Sequence, residues 1–190
     1  MAIAHPMGGG AGAKLPGPCI RADVVDVYIA RPAKQAAHAD DGETARSGPG
    51  LTEIDLLQLQ RTKAPLLGTW QPVMGHIEHG ETAVQAAIRE MQEEVGLTTS
   101  HPMFDGLWAL EQVHPFYISQ IDSFVLSPRF VVLVMRTWEP TLNSEHGAAR
   151  WVNRRGAEAH FMWPGQYASI AELAALLDPG HPAHTHQRLT

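Results

Sequence analysis

The segment ETAVQAAIREMQEEV (81–95) constrains this chain more than any other stretch. At about 100° per residue, Val84, Ala87, Ile88, Met91 and Val95 form one apolar stripe, as a helix packed on a sheet requires. Glu90, Glu93 and Glu94 fall on the adjoining face, with Arg89 beside Glu93 and away from the core. Thr82 and Gln85 have the spacing of a capping box, and Gly96 stands where a helix stops. Gly75 and Gly80 flank the loop that leads in. Like charges one turn apart destabilise a bare helix. The pattern is therefore either a solvated charged face or a set of carboxylates brought together for a hard cation, which takes oxygen ligands and bridges to phosphates.

The rest of the chain surrounds that helix with strand patterns. ADVVDVYIARP (22–32) reads as a strand closed by Pro32, IDLLQLQR (54–61) as a second that pairs with it, and LLGTWQPVMGH (66–76) as a short third. Further strands are expected at 104–114, 129–138 and 149–152, and a last helix at 170–178, ended by Pro179. Residues 1–22 carry five Gly and three Pro, and residues 1–20 read as a flexible tail. The segment 33–52 reads as a mobile loop and 179–190 as a second tail. That leaves one domain over 21–178, an α/β (α+β) fold.

Lys and Arg number 14 against 20 Asp and Glu, a formal charge of −6, which disfavours nucleic-acid polymers and acidic membranes as partners. The one cysteine, Cys19, excludes an internal disulfide and a multi-Cys zinc site, and the eleven histidines are scattered. No apolar run approaches the ~20 residues of a membrane span. The N-terminal residues lack the basic start and apolar stretch of a secretory signal, so a cytoplasmic protein is expected.

The segment GHIEHGETAVQAAIREMQEEVGL (75–97) resembles the Nudix box, G-x5-E-x7-R-E-U-x-E-E-x-G-U with U apolar. Gly75, Glu81, Arg89, Glu90, Met91, Glu93, Glu94, Gly96 and Leu97 occupy every position of it. The resemblance implies an α/β/α sandwich whose mixed sheet carries the box helix on one face and the C-terminal helix on the other. It implies hydrolysis of a nucleoside diphosphate linked to another group, with Mg²⁺ or Mn²⁺. By the same resemblance, Glu93 and Glu94 are principal metal ligands and Glu90 is a ligand or the general base. The Gly75 carbonyl completes the site, Arg89 orients the glutamates, and Glu81 ties the loop to the helix.

Two flanking stretches narrow the resemblance. TWQPVMGHIEHGET (69–82) and SEHGAARWV…FMWPGQYASIAEL (144–173) are similar to dihydroneopterin triphosphate and dATP pyrophosphohydrolases. On that similarity Glu145 is a further ligand or base candidate, its alternative being a loop carboxylate. Trp70 and Gln71 are candidates for a nucleobase or pterin pocket, Phe116 and Tyr117 for stacking on a base, and Phe161 and Trp163 for core or pocket rim. Trp70, Phe116 and Tyr117 could equally pack against the protein itself. The implied function is Mg²⁺-dependent cleavage of a (deoxy)nucleoside or pterin triphosphate to monophosphate and pyrophosphate. The alternatives are hydrolysis of ADP-ribose, a nucleotide sugar or a dinucleoside polyphosphate, or a module that binds without hydrolysis. A monomer and a homodimer are both compatible with the resemblance.

Overall fold

A computed structural model describes residues 17–34, 53–64 and 66–190. Most of the expected N-terminal tail and nearly all of the expected 33–52 loop lie outside the described residues.

The chain begins with β1 (Cys19–Arg21) and β2 (Val24–Pro32), followed by β3 (Ile54–Arg61), β4 (Trp70–Gln71) and β5 (Val73–His76). Next come α1 (Ala83–Val95), β6 (Phe104–Ala109), β7 (Phe116–Ile118), β8 (Ser123–Val125) and β9 (Arg129–Val134). The last elements are β10 (His146–Asn153), α2 (Arg154–His160), α3 (Pro164–Leu176) and α4 (Ala183–His186). The main sheet runs β10-β3-β2-β9-β6, with β4 on β3 and β5 on β2. It is mixed, because β2 and β9 pair in parallel while the other pairs are antiparallel. The smaller sheet, β1-β8-β7, lies apart from it.

The central strand β2 is buried along most of its length, which is why its sequence is apolar almost without alternation. Val25, Val27 and Ile29 join Ala86, Ala87, Met91 and Val95 of α1 in one core. Tyr28 and Ala30 point the other way, to Ala157, Phe161, Ile170 and Leu173 of the α2–α3 region. Two cores on opposite faces of one sheet make the expected α/β/α sandwich.

The termini of α1 follow the sequence. Thr82 Oγ1 accepts from Gln85 N at 3.2 Å, and Gln85 Oε1 accepts from Thr82 N at 2.8 Å. Gly96 closes the helix at φ 71°, a left-handed conformation that glycine adopts without steric cost. The C-terminal helix begins earlier than expected, because Pro164 occupies its first turn, where a missing N–H costs nothing. β1 starts at Cys19 inside the expected N-terminal tail, its partner β8 being some hundred residues away.

Residues 179–190 differ from the flexible tail expected of them. Leu189 N donates to Leu107 O at 2.8 Å, Leu107 N to Thr190 O at 3.1 Å and Ala109 N to Gln187 O at 3.0 Å. This stretch covers the outer edge of β6, whose backbone groups would otherwise lack partners. Among the described residues, no helix is long and apolar enough to cross a membrane.

Candidate functional site

The end of β5, the loop after it and the acidic face of α1 enclose a cleft of about 510 Å³. Gly75, Arg89, Glu90, Glu93, Glu94 and Glu145 all line it, so residues 70 positions apart meet there. Gly75 is required by its neighbour: a Cβ at this position would fall 1.8 Å from the Glu90 carboxyl carbon. The missing side chain is the cradle in which Glu90 lies.

Arg89 binds the acidic face together. It donates from Nε and Nη2 to Glu81 at 3.0 Å each, from Nη1 to Glu90 at 2.8 Å and to Glu93 at 3.2 Å, and from Nη2 to the His76 carbonyl at 2.7 Å. All three guanidinium nitrogens are engaged, so Arg89 serves as a strut, and its pairing with Glu81 raises its pKa further. Glu81 also accepts from Glu78 N at 3.0 Å, which fastens the entry loop to the helix.

The three glutamates of α1 are unequal. Glu93 is exposed, Glu90 is half-buried and Glu94 is 2% exposed. Burial first, with the Glu90 and Glu145 charges adding to it, pushes the Glu94 carboxyl up to about 9. Glu94 Oε2 has no hydrogen-bond partner and lies 3.8 Å from His146 Nε2. Burial lowers the His146 pKa, with Arg61 assisting and Glu145 opposing, which disfavours a charged imidazole beside Glu94. Glu90 is likewise raised, again chiefly by burial. Glu145 turns toward Arg61 Nη1 at 3.5 Å and Lys63 Nζ at 3.3 Å.

These side chains suit a divalent cation chemically. Their donors are hard oxygens, one buried carboxylate oxygen is unpartnered, and the burial and neighbouring charges that raise Glu94 oppose an ionisation that a cation would favour. Among the described residues, no three acidic, His or Cys side chains already form a cage. Glu90 and Glu93 are drawn to Arg89, and Glu145 to Arg61 and Lys63, so holding a cation calls for side-chain rotation.

A second cavity, of about 380 Å³, shares Met74 with the cleft and is more apolar. Phe116 and Trp163 form one wall, their rings 5.7 Å apart and tilted by 20°. Asp26, His114, Arg129 and Gln166 also line it. Arg129 is buried and donates to Asp26 at 3.1 Å, to the Gly165 carbonyl at 2.9 Å and to Ser169 at 2.9 Å. Burial raises the Asp26 pKa while Arg129 opposes it.

The expected pocket residues therefore divide. Gln71 lines the acidic cleft, buried, with Nε2 3.5 Å from His146 Nε2. Phe116 lines the second cavity. Trp70 lines neither cavity: neighbours on a strand point to opposite faces, and it lies under the Arg150 guanidinium at 3.8 Å. Tyr117 also turns outward, donating to Asp122 at 2.7 Å and packing on Phe124. Phe161 is core, whereas Trp163 is wall. Sequence reasoning missed Asp26 and Arg129, although a charge inside VVDVYIA and another opening RFVVLV were the available signal. It missed His146, the first residue of β10, as a neighbour of Glu94, although SEHGAARWV carries it beside Glu145.

A family model described as the NUDIX domain matches residues 28–173. The bis(5'-nucleosyl)-tetraphosphatase (asymmetrical) of Sus scrofa is 26% identical over 139 residues, which is 68% of this chain and 80% of that protein. Among solved structures, a C. elegans Ap4A hydrolase binary complex superposes with a TM-score of 0.61 at 19% identity, covering 83% of this chain and 98% of that one. The E. coli dihydroneopterin triphosphate pyrophosphohydrolase superposes with a TM-score of 0.56 at 23% identity, covering 81% and 98%. The two structural likenesses show the shared fold.

Proposed function

The chain belongs to the Nudix family of hydrolases, which act on phosphorus-containing anhydrides, and from that premise we propose that it cleaves a (deoxy)nucleoside or pterin triphosphate to the monophosphate and pyrophosphate. The observation that carries this reading is an apolar-walled cavity that, among the described residues, adjoins the acidic cleft at Met74, which suits one heterocycle and one polyphosphate arm. Glu90, Glu93, Glu94, Glu145 and the Gly75 carbonyl would hold Mg²⁺ or Mn²⁺. Such an ion, when bound, neutralises phosphate oxygens and acidifies water.

The protein's own part is positioning. Arg89 fixes Glu90 and ties the loop to the helix through Glu81. Glu90, lodged against Gly75, and Glu145, beside Arg61 and Lys63, are the two candidates to accept a proton from the attacking water. Cleavage breaks one P–O bond of the anhydride, and water supplies the oxygen to phosphorus and the proton to the leaving phosphate. Phe116 and Trp163 supply an aromatic wall for the heterocycle.

A second reading is hydrolysis of a dinucleoside polyphosphate, favoured by the similarity to the pig tetraphosphatase. Incubation with Mg²⁺ and a panel of triphosphates, diadenosine tetraphosphate and ADP-ribose, followed by product separation, decides between them. Pyrophosphate plus monophosphate from a triphosphate is the expected result. Inert triphosphates alongside brisk cleavage of diadenosine tetraphosphate would overturn the first reading in favour of the second.

A further inference from the structure

The second cavity holds more unpaired polar groups than an apolar pocket needs. Asp26 is 3% exposed, and Arg129 occupies its Oδ2, while Oδ1 makes no hydrogen bond. His114 Nε2 is buried and unpaired as well. Gln166 is 1% exposed; its Oε1 accepts from Trp163 N, but its Nε2 finds only the Met74 sulfur, at 3.8 Å. A carboxylate oxygen, an imidazole nitrogen and an amide N–H₂ therefore line one cavity without good partners. Buried polar groups are rarely left so, and a cavity with three of them is under-satisfied until something polar enters.

Met74 is the side chain that stands over them. It lies directly opposite Asp26 in the β2–β5 ladder, so the two share a face of the sheet. It also reaches Gln166 and lines the acidic cleft on its other side. Methionine is unbranched and changes shape at little cost, which suits a partition that a ligand displaces.

The geometry points to Asp26, Gln166 and His114 as the residues that select the heterocycle of the substrate, a bicyclic amino-lactam, the ring edge common to guanine and pterin. This rests on the hydrolase reading above and deepens it. An amino-lactam presents a carbonyl oxygen, a ring N–H and an exocyclic N–H₂ in sequence. The carbonyl answers the Gln166 amide, the ring N–H answers Asp26 Oδ1, and the amino group is left for His114. Adenine offers only two such groups on its edge, so one buried partner stays unsatisfied. The flat wall of Phe116 and Trp163 favours a bicyclic ring over a single one, by contact area.

The test compares kcat/KM with Mg²⁺ for guanine, pterin, adenine and pyrimidine triphosphates, in wild type and in Asp26→Asn. The separate guanine and pterin arms show which of the two sources is preferred. Wild type should favour the amino-lactam substrates at least tenfold. Asp26→Asn, whose amide keeps an oxygen for Arg129 and turns N–H₂ into the cavity, should erase that preference by lowering guanine and pterin turnover more than adenine turnover. A uniform loss across all bases, or a wild type that prefers adenine, would overturn the proposal and leave the hydrolase reading standing. Should Asp26→Asn not fold, Gln166→Glu keeps the acceptor for Trp163 N and removes the donor; an unchanged base preference in it overturns the proposal equally. Binding of guanosine and of a free pterin, against adenosine, is measured without metal by calorimetry. If no triphosphate is hydrolysed the function is wrong, and tighter binding of guanosine or pterin still upholds the pocket assignment.

Discussion

Gly75 and Glu94 carry opposite lessons about how single residues make a charged site. Gly75 contributes by having no side chain: any Cβ there collides with the Glu90 carboxyl, with its Cγ 2.4 Å away. Gly75→Ala should therefore leave the fold in place and push Glu90 out of its cradle. Turnover is expected to fall about 10²-fold, the usual consequence of ~1 Å misplacement at a reacting centre, with circular dichroism unchanged. Wild-type rates in Gly75→Ala would show that Glu90 needs no cradle.

Glu94 contributes by being a carboxylate where one is costly. Its unpartnered oxygen is desolvated, and removing the partner of such a group costs about 1–3 kcal/mol. Glu94→Gln keeps the shape and the acceptor for Met74 N while removing the ionisable group that a cation would bind. Without metal its melting temperature should equal or exceed that of wild type. Mg²⁺ at about 100 times its dissociation constant should stabilise wild type by ~2.7 kcal/mol through preferential binding to the folded state, and Glu94→Gln by almost nothing. Turnover in Glu94→Gln should fall by several orders of magnitude. A metal-free variant much less stable than wild type would assign Glu94 to the architecture instead.

At the scale of elements, α1 has its ends fixed by local chemistry and its position by packing. The reciprocal Thr82–Gln85 bonds satisfy two N-terminal groups, so Thr82→Ala should cost about 1 kcal/mol, read as a shift in denaturant midpoint. Truncating Met91, fully buried between α1 and the sheet, should cost about 2–5 kcal/mol in Met91→Ala, since both transfer energy and a cavity are lost. The difference between these costs explains which parts were legible. Capping residues and the apolar stripe are adjacent in sequence and identify α1 without knowledge of the sheet. The start of α3 was placed late because a proline reads as a break, although its first turn is where a helix accepts one. α2 is one of the shorter helices and was not anticipated.

At the scale of the whole molecule, legibility follows sequence separation. The box and its acids form one continuous stretch, and their meeting with Gly75 needs only the turn between β5 and α1. Glu145 was legible only by resemblance, and the chain brings it back through β10. Trp70 and Gln71 show the other limit: a composition suited to a pocket does not reveal which of two strand neighbours faces it. The small sheet β1-β8-β7 and the Asp26–Arg129 pair depend on contacts between residues some hundred positions apart, which no local pattern encodes.

The C-terminal residues make that argument testable. Residues 179–190 contain Gly, Pro and three histidines, the composition of a tail, yet their backbone completes β6. Trp108, buried below, donates its indole N–H to His184 O at 2.8 Å, and Arg188 lies over its ring at 5.1 Å. Removing residues 187–190 should delete the three backbone hydrogen bonds to β6 and the arginine cover, the three bonds alone being worth about 3 kcal/mol at ~1 kcal/mol each. For a chain of this size that is a drop of roughly 6–12 °C in melting temperature. The uncovered edge of β6 should also promote association through open backbone groups, visible by light scattering. β6 lies at the far edge of the main sheet from β10, away from the acidic cleft, so Mg²⁺-dependent turnover at low temperature should persist in the truncated protein. Unchanged melting would return this stretch to the status of a tail, while lost turnover in a folded protein would tie the edge to the site.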